Sequence, residues 1–295
     1  MVARCLRRYS RPAFTFVEIL VVVAIVCVLV GLTVPAVMRL REAANAATCK
    51  NYLKQIGVGL AHHIGTHGHY PIADSQGVFP QRLPGKTWIV KLLPYMDGAE
   101  QETVPTETVV KGLLCPSDGL GGTTSTVDST TYSHSNYLAF YGAYCYGAEE
   151  PRAAFGYQWG ARPADIRDGE SNTMVVGEYL TGVSESTAPH DLRGVMWIDQ
   201  PGSTQLFAAT PPNHHGNDVF RVGDCHDDYE RNLPCSETSN DVLESAGTRS
   251  RHLKGVHVLM GDGAVRFIND KVDHRAWTAM ATIAGGEVFG GDATA

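Results

Sequence analysis

No CxxC pair, no HExxH, no GxSxG and no GxxxxGK[ST] occurs anywhere in the chain. The first absence removes zinc ribbons and thioredoxin-type redox motifs, and the second removes the metalloprotease helix. The third removes the serine nucleophile elbow and the fourth the phosphate-cradling loop. With no motif to carry catalysis, the chain reads as a non-enzyme. Internal repeats are missing too, which excludes solenoids and propellers. Charge is scarce, at 19% of residues, and it is uneven: Arg4, Arg7, Arg8 and Arg11 precede the first acid. The net charge of -7 therefore leaves about -11 on everything that follows. An acidic body does not neutralise phosphates, so nucleic acid is excluded as a partner.

What is present first is a long apolar run, Phe14 to Val34, with Glu18 as its single charge. As a helix it is long enough to cross a hydrocarbon core of about 30 Å. The preceding arginines then predict a cytoplasmic N-terminus, one crossing of the inner membrane, and a body on the periplasmic or cell-surface side. A cleaved secretory signal is the alternative. Apolar residues continue at near-helical spacing through Leu40, Ala44, Ala47, Leu53, Ile56, Leu60 and Ile64. One helix over 14–67 is predicted, membrane-embedded over about 14–36, with a bend where Gly31 and Pro35 fall. Residues 1–13 form a cytoplasmic leader and 68–295 the extracytoplasmic domain.

That domain is rich in Gly, Pro, Ser, Thr and Tyr, with short apolar runs between turn residues. It predicts an α+β fold, in which the long N-terminal helix, first transmembrane and then amphipathic, packs on an antiparallel sheet with long loops. Expected strands are part of "TWIVKLLPYM", then "SNYLAFYG", "TMVVGEYL", "GVMWID", "GVHVLM" and "AVRFIN". The last two should form a C-terminal hairpin over 256–268, because Gly261, Asp262 and Gly263 suit its turn. A short helix is expected at "HRAWTAMATI", and a flexible surface loop at "GLGGTTST". Outside the cytoplasm, disulfides become possible; Cys225 with Cys235 is the first choice and Cys49 with Cys115 the second, with an odd thiol left over.

Candidate ligands are few. His62, His63, His67 and His69 cluster, and His63 and His67 share a helical face, yet they lie where a helix should end and read as structural. His214 and His215 precede Asp218, Asp224, Asp227 and Asp228. An oxygen-rich loop of this kind suits calcium, although its spacing is not that of an EF-hand; no other cofactor is implied. His252 and Asp262 form either an acid/base pair or, as the turn chemistry favours, a loop fastener and a turn residue. Asn136 and Asn172 read as amides holding loop backbone.

"AFTFVEILVVVAIVCVLVGLTVP" resembles the processing segment of type IV prepilins and type II secretion pseudopilins. The resemblance implies cleavage between Ala13 and Phe14 by a prepilin peptidase and N-methylation of Phe14 by the same enzyme class. It also implies that Glu18 pairs with the Phe14 ammonium of a neighbouring pilin-like subunit. Ala13 departs from the glycine usual before the cut. The later blocks "NYLKQIGVGLAHH", "LLCPSD", "SNYLAFYG", "IRDGESNTMVVGEY" and "SRHLKGVHVLMGDGAVRFI" resemble a prepilin-like planctomycete family of unknown function, sometimes labelled solute-binding. Its signature is a His, nine residues and Asp-Gly, matched by His252, Asp262 and Gly263. The implied role is a membrane-anchored subunit or displayed component of a type II secretion or type IV pilus-like system. The alternatives are a membrane-tethered solute- or glycan-binding module and, behind it, a tethered hydrolase.

Overall fold

The computed structural model describes residues 15–73, 87–96, 104–119, 122–127, 129–145, 152–183, 190–240 and 243–286. The chain divides into two units, residues 1–44 and 45–295. The fold is α+β: one long helix and a set of antiparallel and mixed sheets.

Helix α1 runs from Phe16 to His67 without interruption at Pro35. In the first unit its apolar side chains, Phe16 through Leu40, are all exposed. In the second unit Cys49, Leu53, Ile56, Leu60 and His63 are buried, a stripe at spacings of three and four that defines one helical face. Gly57 and Gly59 on this half cost helix propensity, about 1 kcal/mol each. They permit close packing: a Cβ on Gly57 would lie 3.0 Å from Leu259 Cδ1, and one on Gly59 3.0 Å from Met96 Cγ. Gly68, at φ +80°, closes the helix with its amide on the Ile64 carbonyl (2.7 Å), the left-handed cap that glycine supplies at no steric cost.

"TWIVKLLPYM" is helical, not a strand. Helix α2 spans Trp88–Leu92 and runs into a 3-10 turn at Leu93–Tyr95. Thr87 caps it, accepting from the Val90 amide and donating to the Met196 carbonyl at 2.7 Å. Trp88, Ile89, Leu92, Leu93 and Met96 are the buried residues. Their spacing is a helical period, which the β-rich composition of the stretch obscures.

Among the described residues eleven short strands follow: β1 (Thr124–Val127), β2 (Thr130–Ser133), β3 (Tyr137–Gly142), β4 (Phe155–Gly156), β5 (Trp159–Gly160), β6 (Met174–Glu178), β7 (Gln205–Phe207), β8 (Asp218–Arg221), β9 (Cys235–Thr238), β10 (Gly255–Met260) and β11 (Val265–Asn269). Five make the central sheet, in the order β11-β10-β6-β3-β7. It is mixed, because β7 pairs with β3 in parallel while the other neighbours are antiparallel. Part of "GLGGTTST" is strand β1, hydrogen-bonded to β2. "GVMWID" forms turns, with Val195 in a single bridge to His134. Val195, Met196, Trp197 and Ile198 are all buried.

Strands β3 and β10 are buried along their whole length, because the central sheet is covered on both faces. Tyr137, Ala139 and Tyr141 of β3 join the cluster of α1 and α2, whereas Leu138 and Phe140 join a second cluster with Val256, Val258, Ile268 and Trp277. Helix α3 (His274–Met280) supplies Trp277, and Asp273 caps it by accepting from the Arg275 and Ala276 amides. The hairpin turn between β10 and β11 has Asp262 accepting from the Ala264 amide at 2.8 Å and Gly263 at φ +76°.

Candidate functional site

A charged residue at the end of a buried strand organises the site. Glu178 is the last residue of β6, and β6 ends between β3 and β10. Its backbone carbonyl accepts from the Arg249 amide. Its Oε2 accepts from the His257 amide at 2.8 Å, and its Oε1 lies 3.1 Å from both His257 Nδ1 and His252 Nε2. The two rings stand edge to face with centroids 4.8 Å apart. Burial alone would push the Glu178 carboxyl up, but the hydrogen bonds from His252 and His257, with their charges, outweigh it and hold it at about 2. The carboxylate thus ties β6, β10 and the loop before β10 into one joint.

On the other side of His252 lies sulfur. Cys115 Sγ is 3.7 Å from His252 Nε2, and Cys115 is bonded to Cys49 of α1. The Tyr137 hydroxyl of β3 reaches the Cys49 carbonyl at 3.3 Å. Residues from five distant stretches meet here: the start of the α1 buried stripe, "LLCPSD", "SNYLAFYG", "VVGEY" and "SRHLKGVHVLM". Cys49, Cys115, Glu178, His252 and His257 are all buried.

Three further buried ion pairs surround it. Asp118 accepts from Asn136 Nδ2, the Thr181 amide and hydroxyl, and Arg231 Nη2. Asp218 holds Arg249 through two oxygens and accepts from the Tyr179 hydroxyl and the Gly247 amide. Asp191 holds Arg193, whose remaining donors reach the Leu233 and His226 carbonyls. Each carboxylate is paired and hydrogen-bonded, the condition under which charge is tolerated inside.

His252 therefore bonds Glu178 and not Asp262, and the two signature residues play separate roles, loop fastener and turn former. Asn136 also accepts from the Cys115 amide, and Asn172 donates to the Asp168 carbonyl. The histidines at the end of α1 stack, His63 on His67 at 4.2 Å, and their Nδ1 atoms face the His69 and His63 carbonyls. In the loop considered for calcium, Asp218 is taken by Arg249, Asp227 accepts from the Cys235 amide, and Asp228 accepts from the Arg231 amide. His214 accepts from the Gly216 amide. Cys225 is bonded to Cys235, and Cys27 and Cys145 are free thiols. Glu18 Oε2 accepts from the Thr15 amide and hydroxyl, both at 2.8 Å. Ala13 and Phe14 lie outside the described residues.

The sequence reading missed Glu178 and His257. Each is a lone polar residue inside an apolar strand, "VVGEYL" and "GVHVLM", the same pattern that singles out Glu18 in the N-terminal run.

No curated protein and no solved structure matches the chain. The family described as "Protein of unknown function (DUF1559)" matches residues 38–102 and 97–275, a span that holds the long helix's buried half, the central sheet and the whole Glu178 cluster, and the chain belongs to that family.

Proposed function

We propose that the chain is a prepilin-like, membrane-anchored envelope protein and that it acts by assembly or display, not by catalysis. The observation that carries this reading is the change of surface along α1: uniformly exposed apolar side chains from Phe16 to Leu40, then a single buried stripe from Cys49. The exposed stretch is long and apolar enough to cross a membrane, a surface that a helix keeps in lipid and not in water. Glu18 stands at its start. A carboxylate inside hydrocarbon costs about 2.5–3.5 kcal/mol on insertion scales. The Thr15 cap offsets part of that within one chain, in the reciprocal pattern of a capping box. On this reading a prepilin peptidase removes residues 1–13 and methylates Phe14. The Phe14 ammonium of a neighbouring subunit then completes the pairing of Glu18, setting the register of a type II secretion or pilus-like assembly. The His252, Asp262 and Gly263 signature serves the body's fold.

The test is the intact mass of the protein isolated from membranes, together with crosslinking of Glu18→Ala in cells. Cleavage after Ala13 with one added methyl group, and loss of crosslinked subunits in the variant with processing intact, are the expected results. An intact leader overturns the reading. Unchanged crosslinking, with a glycan or solute retained by the body, replaces it with a tethered binding module.

A further inference from the structure

The Cys49, Cys115, Glu178 and His252 side chains converge in a way that the disulfide alone does not require. One ligand atom from each lies within 4.8 Å of the others. His252 Nε2 is 3.7 Å from Cys115 Sγ and 3.1 Å from Glu178 Oε1. Ligands around a tetrahedral zinc ion, at about 2.3 Å for sulfur and about 2.0 Å for nitrogen or oxygen, sit roughly 3.3–3.8 Å from one another. Both measured separations are close to those edges.

A catalytic relay is the competing use of a cysteine, a histidine and a carboxylate. It needs the two ring nitrogens of the histidine to face different partners, sulfur on one side and carboxylate on the other. Here a single nitrogen, His252 Nε2, faces both. Donors aimed at one common point fit a bound cation. The surroundings fit it also: Glu178 is already oriented by the His257 ring and amide, as a coordinating carboxylate requires of its outer partners.

We propose that, once its disulfide is reduced, this cluster is a zinc site, with Cys49 Sγ, Cys115 Sγ, His252 Nε2 and a Glu178 oxygen as ligands. Two thiolates, an imidazole and a carboxylate form a set suited to a borderline-soft divalent cation. A dithiol reductant delivers two electrons and two protons to the sulfurs and leaves as its own disulfide. Zinc binding then releases both thiol protons, and His252 coordinates through Nε2 as the neutral imidazole with its proton on Nδ1. The covalent staple and the metal staple hold the same joint, α1 to the Glu178 end of the central sheet, so the joint survives a change of redox state.

The experiment uses the full chain in detergent micelles, oxidised or reduced under anaerobic conditions with a phosphine, since dithiols themselves chelate zinc. Zinc bound is counted by competition with a chromogenic chelator, and cobalt(II) replaces zinc as a spectroscopic probe. We expect one zinc per reduced chain and none on the oxidised chain. Cobalt should give the intense visible bands of tetrahedral coordination with a thiolate charge-transfer band. Zinc should also restore at least half of the drop in thermal midpoint that reduction causes. His252→Gln should lose the zinc, whereas the pair Cys225→Ser and Cys235→Ser should keep it. A reduced chain that takes up no zinc, a pale octahedral cobalt spectrum, or zinc retained by His252→Gln overturns the proposal. So does a chain that loses its near-ultraviolet dichroism on reduction and does not regain it with zinc.

Discussion

Single residues set the pH range in which this body is stable. His134 is fully enclosed, with Nδ1 2.8 Å from the Gly122 carbonyl and Nε2 2.8 Å from the Ser125 hydroxyl. The neutral ring donates to the first and accepts from the second. Burial pushes its pKa down to about 4. Between the ordinary histidine value near 6.5 and that value, the unfolded chain holds a proton that the folded chain refuses. Stability is therefore whole above pH 6.5 and falls as pH drops toward 4. The loss is about 3 kcal/mol at most, because each tenfold weakening of proton affinity is worth roughly 1.4 kcal/mol. His63, pushed down to about 4 by burial and then by the charge of His67, adds in the same window. Glu178 acts lower: its carboxyl, held at about 2 instead of 4.5, withdraws its support as pH falls through that interval. Thermal midpoints measured from pH 7 to pH 4 should decline, and His134→Gln should flatten the decline; an unchanged slope in that variant would place the titration elsewhere.

Among the elements, α1 and the Gly261–Gly263 hairpin were legible because their signals are local. A long apolar run with helical spacing and a Gly-Asp-Gly turn between apolar strands each determine their own geometry. The helix at Trp88 was not, because a β-rich composition masks its helical spacing, and the coil at Val195 was not, because its consecutive buried residues carry no usable period. The Glu178 cluster depends on contacts across 79 residues, from Glu178 to His257, and across 137, from Cys115 to His252; no window of sequence shows those. The two disulfides are also element-scale features, and they differ in the chain they close. Cys49–Cys115 spans 66 residues and Cys225–Cys235 spans 10. Loop-closure entropy gives about 4 kcal/mol for the first and about 3 kcal/mol for the second. In oxidising buffer without zinc, replacing Cys49 and Cys115 together by serine should lower the denaturation midpoint more than replacing Cys225 and Cys235. The first pair also removes sulfur from the α1 core while the second lies at the far cluster. Equal effects in urea titrations would refute this ranking.

Across the whole molecule, the exposed and the buried apolar residues of α1 occupy different stretches of one helix. Every buried apolar residue among the described ones comes at or after Cys49, and the division between units falls at Ala44. The second half of α1 contributes Cys49, Leu53, Ile56 and Leu60 to the cluster that includes Trp88 and Tyr137. A helix in water is stabilised mainly by the face it buries, so residues 45–67 are kept helical by the body they pack on, and on the proposed reading a membrane takes that part for residues 16–44. Two cuts separate these roles. A chain beginning at Asn45 should be soluble without detergent and unfold within about 2 °C of the full chain, because a loss of 1 kcal/mol in a domain of this size moves the midpoint by roughly 2–4 °C. A chain beginning at Leu60 removes Cys49, Leu53 and Ile56 and opens the joint at Glu178; it should lose cooperative unfolding altogether. If the Asn45 chain is insoluble or melts far below the full chain, the exposed half of α1 packs on the body, and the assignment of that half to the membrane fails with it.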